Sequence, residues 1–183
     1  MHLLEDSIKA LERQDRKAQQ QLYKAYFSRW MALCVRYVGQ HDDAMMVLNN
    51  GFLKIFTKID KYTGDLPFEA WLKRVMINTC IDRYRARLNQ TPTVELVEAG
   101  AETVLAETMI NADAEYLLFL VRQLPPAYQA TFNLFAVEGY EYQEIADLLG
   151  VSIGSVKSNL FKARLRLKEL LTQRQTDNAY ARQ

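Results

Sequence analysis

The chain has 183 residues, 49% of them apolar and 25% charged, a balance that allows one or two packed domains and excludes disorder throughout. Seven Gly, four Pro and an abundance of Leu, Ala, Gln, Glu, Lys and Arg favour helices over a sandwich or barrel. The net charge of +1 hides a pattern: residues 1–90 carry +5, 91–112 carry −4, 113–150 carry −5 and 151–183 carry +5.

Several chemistries are excluded at once. With only His2 and His41, and with Cys34 and Cys80 far apart in the chain, there is no spacing for a zinc site and no Ser/His/Asp constellation. The glycines form neither a dinucleotide fingerprint nor a phosphate loop. No catalytic residue, metal or cofactor is therefore expected, and no small-molecule substrate. Both cysteines lie in apolar stretches and read as buried thiols. No apolar run approaches the roughly 18 residues of a spanning helix, and the N-terminus lacks a basic, then apolar, secretory pattern. The expectation is a cytoplasmic protein without membrane insertion.

In chain order, Leu22, Tyr26, Trp30 and Leu33, then Phe52, Ile55, Phe56 and Ile59, recur at helical spacing. From residue 58 to 87 basic and aromatic side chains interleave: Lys58, Lys61, Tyr62, Phe68, Trp71, Lys73, Arg74, Arg83, Tyr84, Arg85 and Arg87. Melted nucleic acid needs that combination, because cations neutralise the backbone while unstacked bases find ring faces. For Phe68, Trp71 and Tyr84 the alternative is a place in the core. Gly64 and Pro67 break the helical pattern, so Tyr62 to Phe68 reads as a loop between two helices, able to hold a flipped base.

Residues 89–103 have no sustained period and no basic side chain, which predicts a linker. Beyond it, Tyr116, Leu117, Leu120 and Val121 resume a helix that must stop or restart at Leu124-Pro125-Pro126. The layout is all-α: a helical domain over 1–90, an acidic flexible tether over 91–112 and a second helical domain over 113–183.

The strongest local signal follows. Tyr142 to Leu149 is an amphipathic helix that Gly150 can end in a left-handed cap, and Ser152 is placed to cap the next helix. That helix has the apolar stripe Ile153, Val156, Leu160, Ala163, Leu167 and Leu170, leaving Ser155, Lys157, Ser158, Asn159, Lys162, Arg164 and Arg166 outside it or on its margins. This is the grammar of a helix-turn-helix. Lys157, Ser158, Asn159 and Lys162 stand where such a helix meets base edges in the major groove, while Arg164, Arg166 and Lys168 suit phosphates.

The sequence resembles RNA polymerase sigma factors of the short extracytoplasmic-function (ECF) type. Trp71-Leu72, Arg74, Asn78, Asp82 and Arg85 match the family's promoter-melting helix. Leu124-Pro125, Phe132, Glu138-Gly139, Tyr142, Glu144-Ile145-Ala146, Leu149, Ser152, Gly154, Val156-Lys157-Ser158, Leu160, Ala163-Arg164 and Leu167 match its fourth conserved region. The resemblance implies that the first domain docks on the polymerase and opens the −10 element, with Asn78, Asp82 and Arg85 facing it. It implies also that Lys157, Ser158, Asn159, Phe161 and Lys162 face a duplex −35 element, and that Met46, Val47, Asn49, Asn50, Phe52 and Leu53 form the polymerase-docking segment. Core polymerase and promoter DNA are the expected partners, with an anti-sigma protein as a further one.

Departures accompany the match. The docking segment reads Met45-Met46-Val47-Leu48-Asn49-Asn50-Gly51 where the family is acidic, and Gly51 costs a helix about 1 kcal/mol relative to Ala. Gln129 and Asn159 replace frequent Arg positions. Two other classes remain open at this point: a ligand-responsive helix-turn-helix regulator that binds DNA without polymerase, which leaves the basic aromatic block unexplained, and a protein-interaction module, which explains neither basic surface.

Overall fold

The structure is a computed structural model that describes residues 2–90 and 112–180, with side chains described over 6–88 and 116–173. Every regular element among them is helical: α1 (His2–Glu12), α2 (Arg16–Val38), α3 (His41–Thr57), α4 (Phe68–Gln90), α5 (Ala112–Arg122), α6 (Pro126–Phe132), α7 (Tyr142–Leu149) and α8 (Ile153–Tyr180). A 3-10 turn over Ile59–Lys61 follows α3, and a π turn over Asn133–Val137 extends α6. The chain divides into two compact units, 1–83 and 84–183, a division that falls inside α4. The expected tether lies outside the described residues except at Ala112, where α5 begins.

In the first unit, Asp15 starts α2 by accepting the Ala18 amide at 2.8 Å, and Gly39 ends it at φ 82°. The left-handed backbone there favours glycine. Asp42 and Asp43 occupy the first turn of α3, where carboxylates complement the helix dipole. Trp30, Leu33 and Cys34 of α2, Val47, Leu48, Phe52 and Ile55 of α3, and Phe68, Leu72, Met76, Ile77, Cys80 and Ile81 of α4 are all buried. Their 3- and 4-residue spacings give each helix one apolar face, which burial out of water stabilises.

Gly51 has a packing role that its helix propensity conceals. A Cβ at that position would collide with the Met76 thioether, so the missing side chain opens a notch in α3 that α4 fills.

The second unit is built around α8. Leu120, Val121 and Leu124 pack with Ala163 and Leu167, and Tyr116, Phe119, Tyr128, Phe132, Leu170 and Leu171 partly cover that cluster. The expected interruption at Leu124-Pro125-Pro126 is present, with α5 ending at Arg122 and α6 starting at Pro126. A first-turn proline loses no hydrogen bond, because its amide would lack an intrahelical partner anyway. Wide turns carry the chain out of α6, with the Glu138 amide donating to the Asn133 carbonyl at 3.0 Å and the Tyr140 amide to the Leu134 carbonyl at 2.9 Å.

The turn between α7 and α8 follows the sequence closely. The Glu141 amide donates to Glu144 at 2.9 Å at the start of α7, and Gly150 closes it at φ 68°, ψ 38°. Ser152 Oγ then accepts the Ser155 amide at 3.1 Å, capping α8. Val156, Leu160, Ala163 and Leu167 are buried and Leu170 half-buried, whereas Ile153, expected in the stripe, is exposed in the first turn.

Candidate nucleic-acid interface

Arg74, Asn78, Asp82 and Arg85 recur at helical spacing along α4 and so share one face, on the side away from Leu72, Met76 and Cys80. Arg74, Asp82 and Arg85 are exposed, while Lys73 and Asn78 are half-buried. Asn78 Oδ1 is buried without a hydrogen-bond partner within the chain, so a base can reach it only if the side chain turns outward. An amide offers both a donor and an acceptor, which is what reading a base edge requires.

Two ion pairs link this helix to α3. Lys54 Nζ donates to Asp82 Oδ2 at 2.7 Å, and Arg83 donates to Asp43 Oδ1 at 2.8 Å. Asp82 is therefore oriented by Lys54. Arg83, half-buried, is partly committed to Asp43.

The Tyr62 to Phe68 segment is closed by its own side chains. Tyr62 donates its hydroxyl to the Leu66 carbonyl at 2.9 Å, and the Tyr62 ring lies 5.2 Å from Phe68 and 5.7 Å from Trp71. Phe68 and Trp71 stack at 6.1 Å. Phe68 is only 5% exposed and takes the core alternative, so Tyr62 and Trp71, half-buried, keep the ring surface available at the loop, with Lys61 exposed beside them.

The docking segment divides by face. Met46 and Leu53 are 48% and 60% exposed, and Asn49 and Asn50 are exposed between them. Val47 and Phe52 lie in the core, which corrects their reading as surface contacts: with 3.6 residues per turn, six neighbours on α3 cannot all face outward. Asn49 Oδ1 accepts the Tyr23 hydroxyl at 3.2 Å.

On α8, Ser155, Lys157, Ser158, Phe161, Lys162 and Arg164 are all exposed, Phe161 to 68%. Asn159 is half-buried, its amide 3.5 Å from Thr131 Oγ1, which turns it toward α6. Gln129 is buried on α6, so its departure from Arg falls in the interior rather than on a phosphate-facing surface.

Phe135 and Tyr142 stack at 5.1 Å; Lys157 Nζ stands 5.7 Å over the Tyr142 ring and the Arg164 guanidinium 5.7 Å over the Phe135 ring. The pair holds two long cations upright on the exposed face by cation–π attraction. Sequence periodicity missed Phe135 because the π turn, not an α-helix, sets its direction. Among the described residues there is no cluster of three or more His, Cys, Asp or Glu able to hold a metal, and no helix is long and apolar enough to cross a membrane.

Comparison with known proteins matches two stretches of the chain to two modules of one family. The Sigma-70 region 2 model matches residues 22–89 and the Sigma-70 region 4 model matches residues 114–167. The chain belongs to the sigma-70 family of RNA polymerase sigma factors. It is 25% identical to the ECF RNA polymerase sigma-E factor of Haemophilus influenzae, over 86% of this chain and 89% of that one. It is 26% identical to the RNA polymerase sigma-H factor of Pseudomonas aeruginosa, over 86% and 88%. Among solved structures, the sigma factor RpoE in complex with the anti-sigma factor NepR, from Bartonella quintana, shares the fold at TM-score 0.56 and 22% identity, covering 84% of this chain and 96% of that one. Within the family the relatives place this chain in the ECF type.

Proposed function

We propose that this sigma factor directs RNA polymerase core enzyme to promoters by two physically different readings of DNA. In a domain over 113–183, α8 enters the major groove of a duplex −35 element. Lys157, Ser158 and Lys162 reach base edges, Phe161 meets a thymine methyl, and Ser155 and Arg164 bind phosphates. In a domain over 1–90, the outward stripe of α4 captures the −10 element as open strand. Asn78 and Asp82 read bases, Tyr62 and Trp71 supply ring faces over the buried Phe68, and Lys61, Lys73, Arg74, Arg83 and Arg85 neutralise the backbone.

The docking surface on core polymerase is Met46, Asn49, Asn50 and Leu53, with residues 91–112 as an acidic tether. In promoter opening the chain makes and breaks no covalent bond: preferential binding of the open strand lowers the free energy of melting, and the polymerase performs the chemistry. It works in the cytoplasm. An anti-sigma protein of the kind bound to the Bartonella relative is a further partner.

The observation that carries this reading is the α8 face, where six groups able to bind DNA stand exposed next to a glycine turn and a serine cap. Permanganate footprinting of unpaired thymines by holoenzyme tests the more demanding half. Wild type should open the promoter, and Asn78→Ala or Tyr62→Ala/Trp71→Ala should lose reactive thymines while still binding core polymerase. Wild-type opening by both variants would reduce the α4 face to a scaffold.

A further inference from the structure

Beneath α3, three sulfur atoms meet in the core of the first unit. Cys34 Sγ of α2 lies 3.9 Å from Cys80 Sγ of α4 and 3.8 Å from Met76 Sδ, and all three residues are completely buried. The promoter-reading functions above use none of them. The cysteines are 46 positions apart in sequence, so their meeting is a product of the tertiary fold. Gly51 belongs to the same arrangement, because its missing Cβ leaves the space that the Met76 thioether occupies.

The geometry points to a modification site: Cys34 and Cys80 form an intramolecular disulfide when the folded protein meets a peroxide. The sulfurs must close from 3.9 Å to about 2.05 Å. The first thiol, as its thiolate, attacks a peroxide oxygen. An S–O bond forms, the O–O bond breaks, and the departing hydroxide takes up the thiol's proton as water, leaving a sulfenic acid. The second sulfur attacks the sulfenic sulfur, so that the S–S bond forms, the S–O bond breaks and the released hydroxide takes the second proton as another water. Hydrogen peroxide is reduced to two waters while the protein loses two hydrogen atoms.

Complete burial keeps peroxide away from both sulfurs, so the first step is slow compared with an exposed cysteine. It does not oppose the product, because a disulfide carries no charge. Proximity also favours the pair over an intermolecular bond, since the second thiol is already in van der Waals contact with the first. The cross-link ties α2 to α4 and closes a loop that contains all of α3. It thus acts as a lock on the helix that carries the proposed docking residues. That last consequence rests on the proposed function, whereas the chemistry does not.

The test treats the full folded chain with hydrogen peroxide, quenches with catalase, denatures in iodoacetamide and measures intact mass and digested peptides. Wild type should become lighter by two hydrogens, resist alkylation at both cysteines and yield a peptide pair joining Cys34 to Cys80, all reversed by dithiothreitol. Cys34→Ser and Cys80→Ser should each show no two-hydrogen loss as monomer. The oxidised wild type should also unfold at a higher urea concentration than the reduced form. Two alkylatable cysteines after oxidation, sulfinic or sulfonic acid as the main product, or disulfide only between chains would overturn the site. A Cys34–Cys80 disulfide without any gain in urea midpoint would overturn the lock.

Discussion

Both halves of this protein place cations beside aromatic rings, yet they use the rings in opposite ways. In the first unit, Phe68 is buried, and Tyr62 and Trp71 are half-buried against it. In the second, Phe161 stands in solvent and the stacked pair Phe135 and Tyr142 supports Lys157 and Arg164 from below. A base platform made from a core edge has its position set by packing, while a groove-entering helix needs side chains free to reach. The difference follows from the substrates proposed for them: an unstacked base needs a fixed face, and a paired base needs hydrogen-bonding tips.

The largest effect should come from cutting the ring core of the first unit. Trp30→Ala removes a buried side chain that packs on Tyr26 and Phe52, and a loss of about 3–5 kcal/mol in denaturant unfolding is expected. Phe161→Ala is the counterpart on the exposed helix and should change stability by less than about 0.5 kcal/mol. Similar stability losses for the two would erase the contrast between interior and exposed rings.

Next in size, Lys157→Ala or Lys162→Ala should weaken −35 duplex binding by holoenzyme. A lost base contact costs about 1–3 kcal/mol and relaxes sequence preference, whereas a lost phosphate contact lowers affinity evenly and flattens the salt dependence. Titrations on matched and mismatched promoters at several salt concentrations separate the two. Unchanged binding by both variants would remove α8 from the groove.

Ser152→Ala removes the acceptor for the Ser155 amide and should cost about 1 kcal/mol, read as a lower urea midpoint. Glycine at the same position should recover most of it, since Gly is nearly as good a cap. The Lys54–Asp82 pair should be worth less, about 0.2–1 kcal/mol in a double-mutant cycle, because both side chains are partly solvated. If Asp82 also reads a base, Asp82→Asn will lower promoter opening well beyond that stability effect.

The smallest expected effect is a pH response. Burial raises the Tyr84 hydroxyl pKa above its ordinary value of 10.0, because the phenolate would lose solvation. The unfolded chain then releases this proton first as pH rises. The contribution is intact below pH 10.0 and is lost as pH climbs through the folded pKa. Tyr84→Phe should therefore flatten the alkaline decline in unfolding free energy relative to wild type, and parallel curves above pH 10.0 would contradict the assignment.

Local chemistry made a large share of this protein legible before any tertiary structure. The α7–α8 turn depends on a left-handed Gly150 and a capping Ser152, and the α5–α6 break depends on prolines, so those elements follow from a few adjacent residues. The helix-turn-helix and the α8 stripe were readable for the same reason. Only tertiary packing decided which side of α3 faces out, sending Val47 and Phe52 inward and leaving Met46 and Leu53 exposed. It also decided that Asp82 meets Lys54, that Phe135 lies under Arg164, that Gly51 accommodates Met76, and that Cys34 meets Cys80. Periodicity shows that a helix has an apolar face, but partners separated by tens of residues are chosen by the fit of whole helices, and no local pattern encodes that fit.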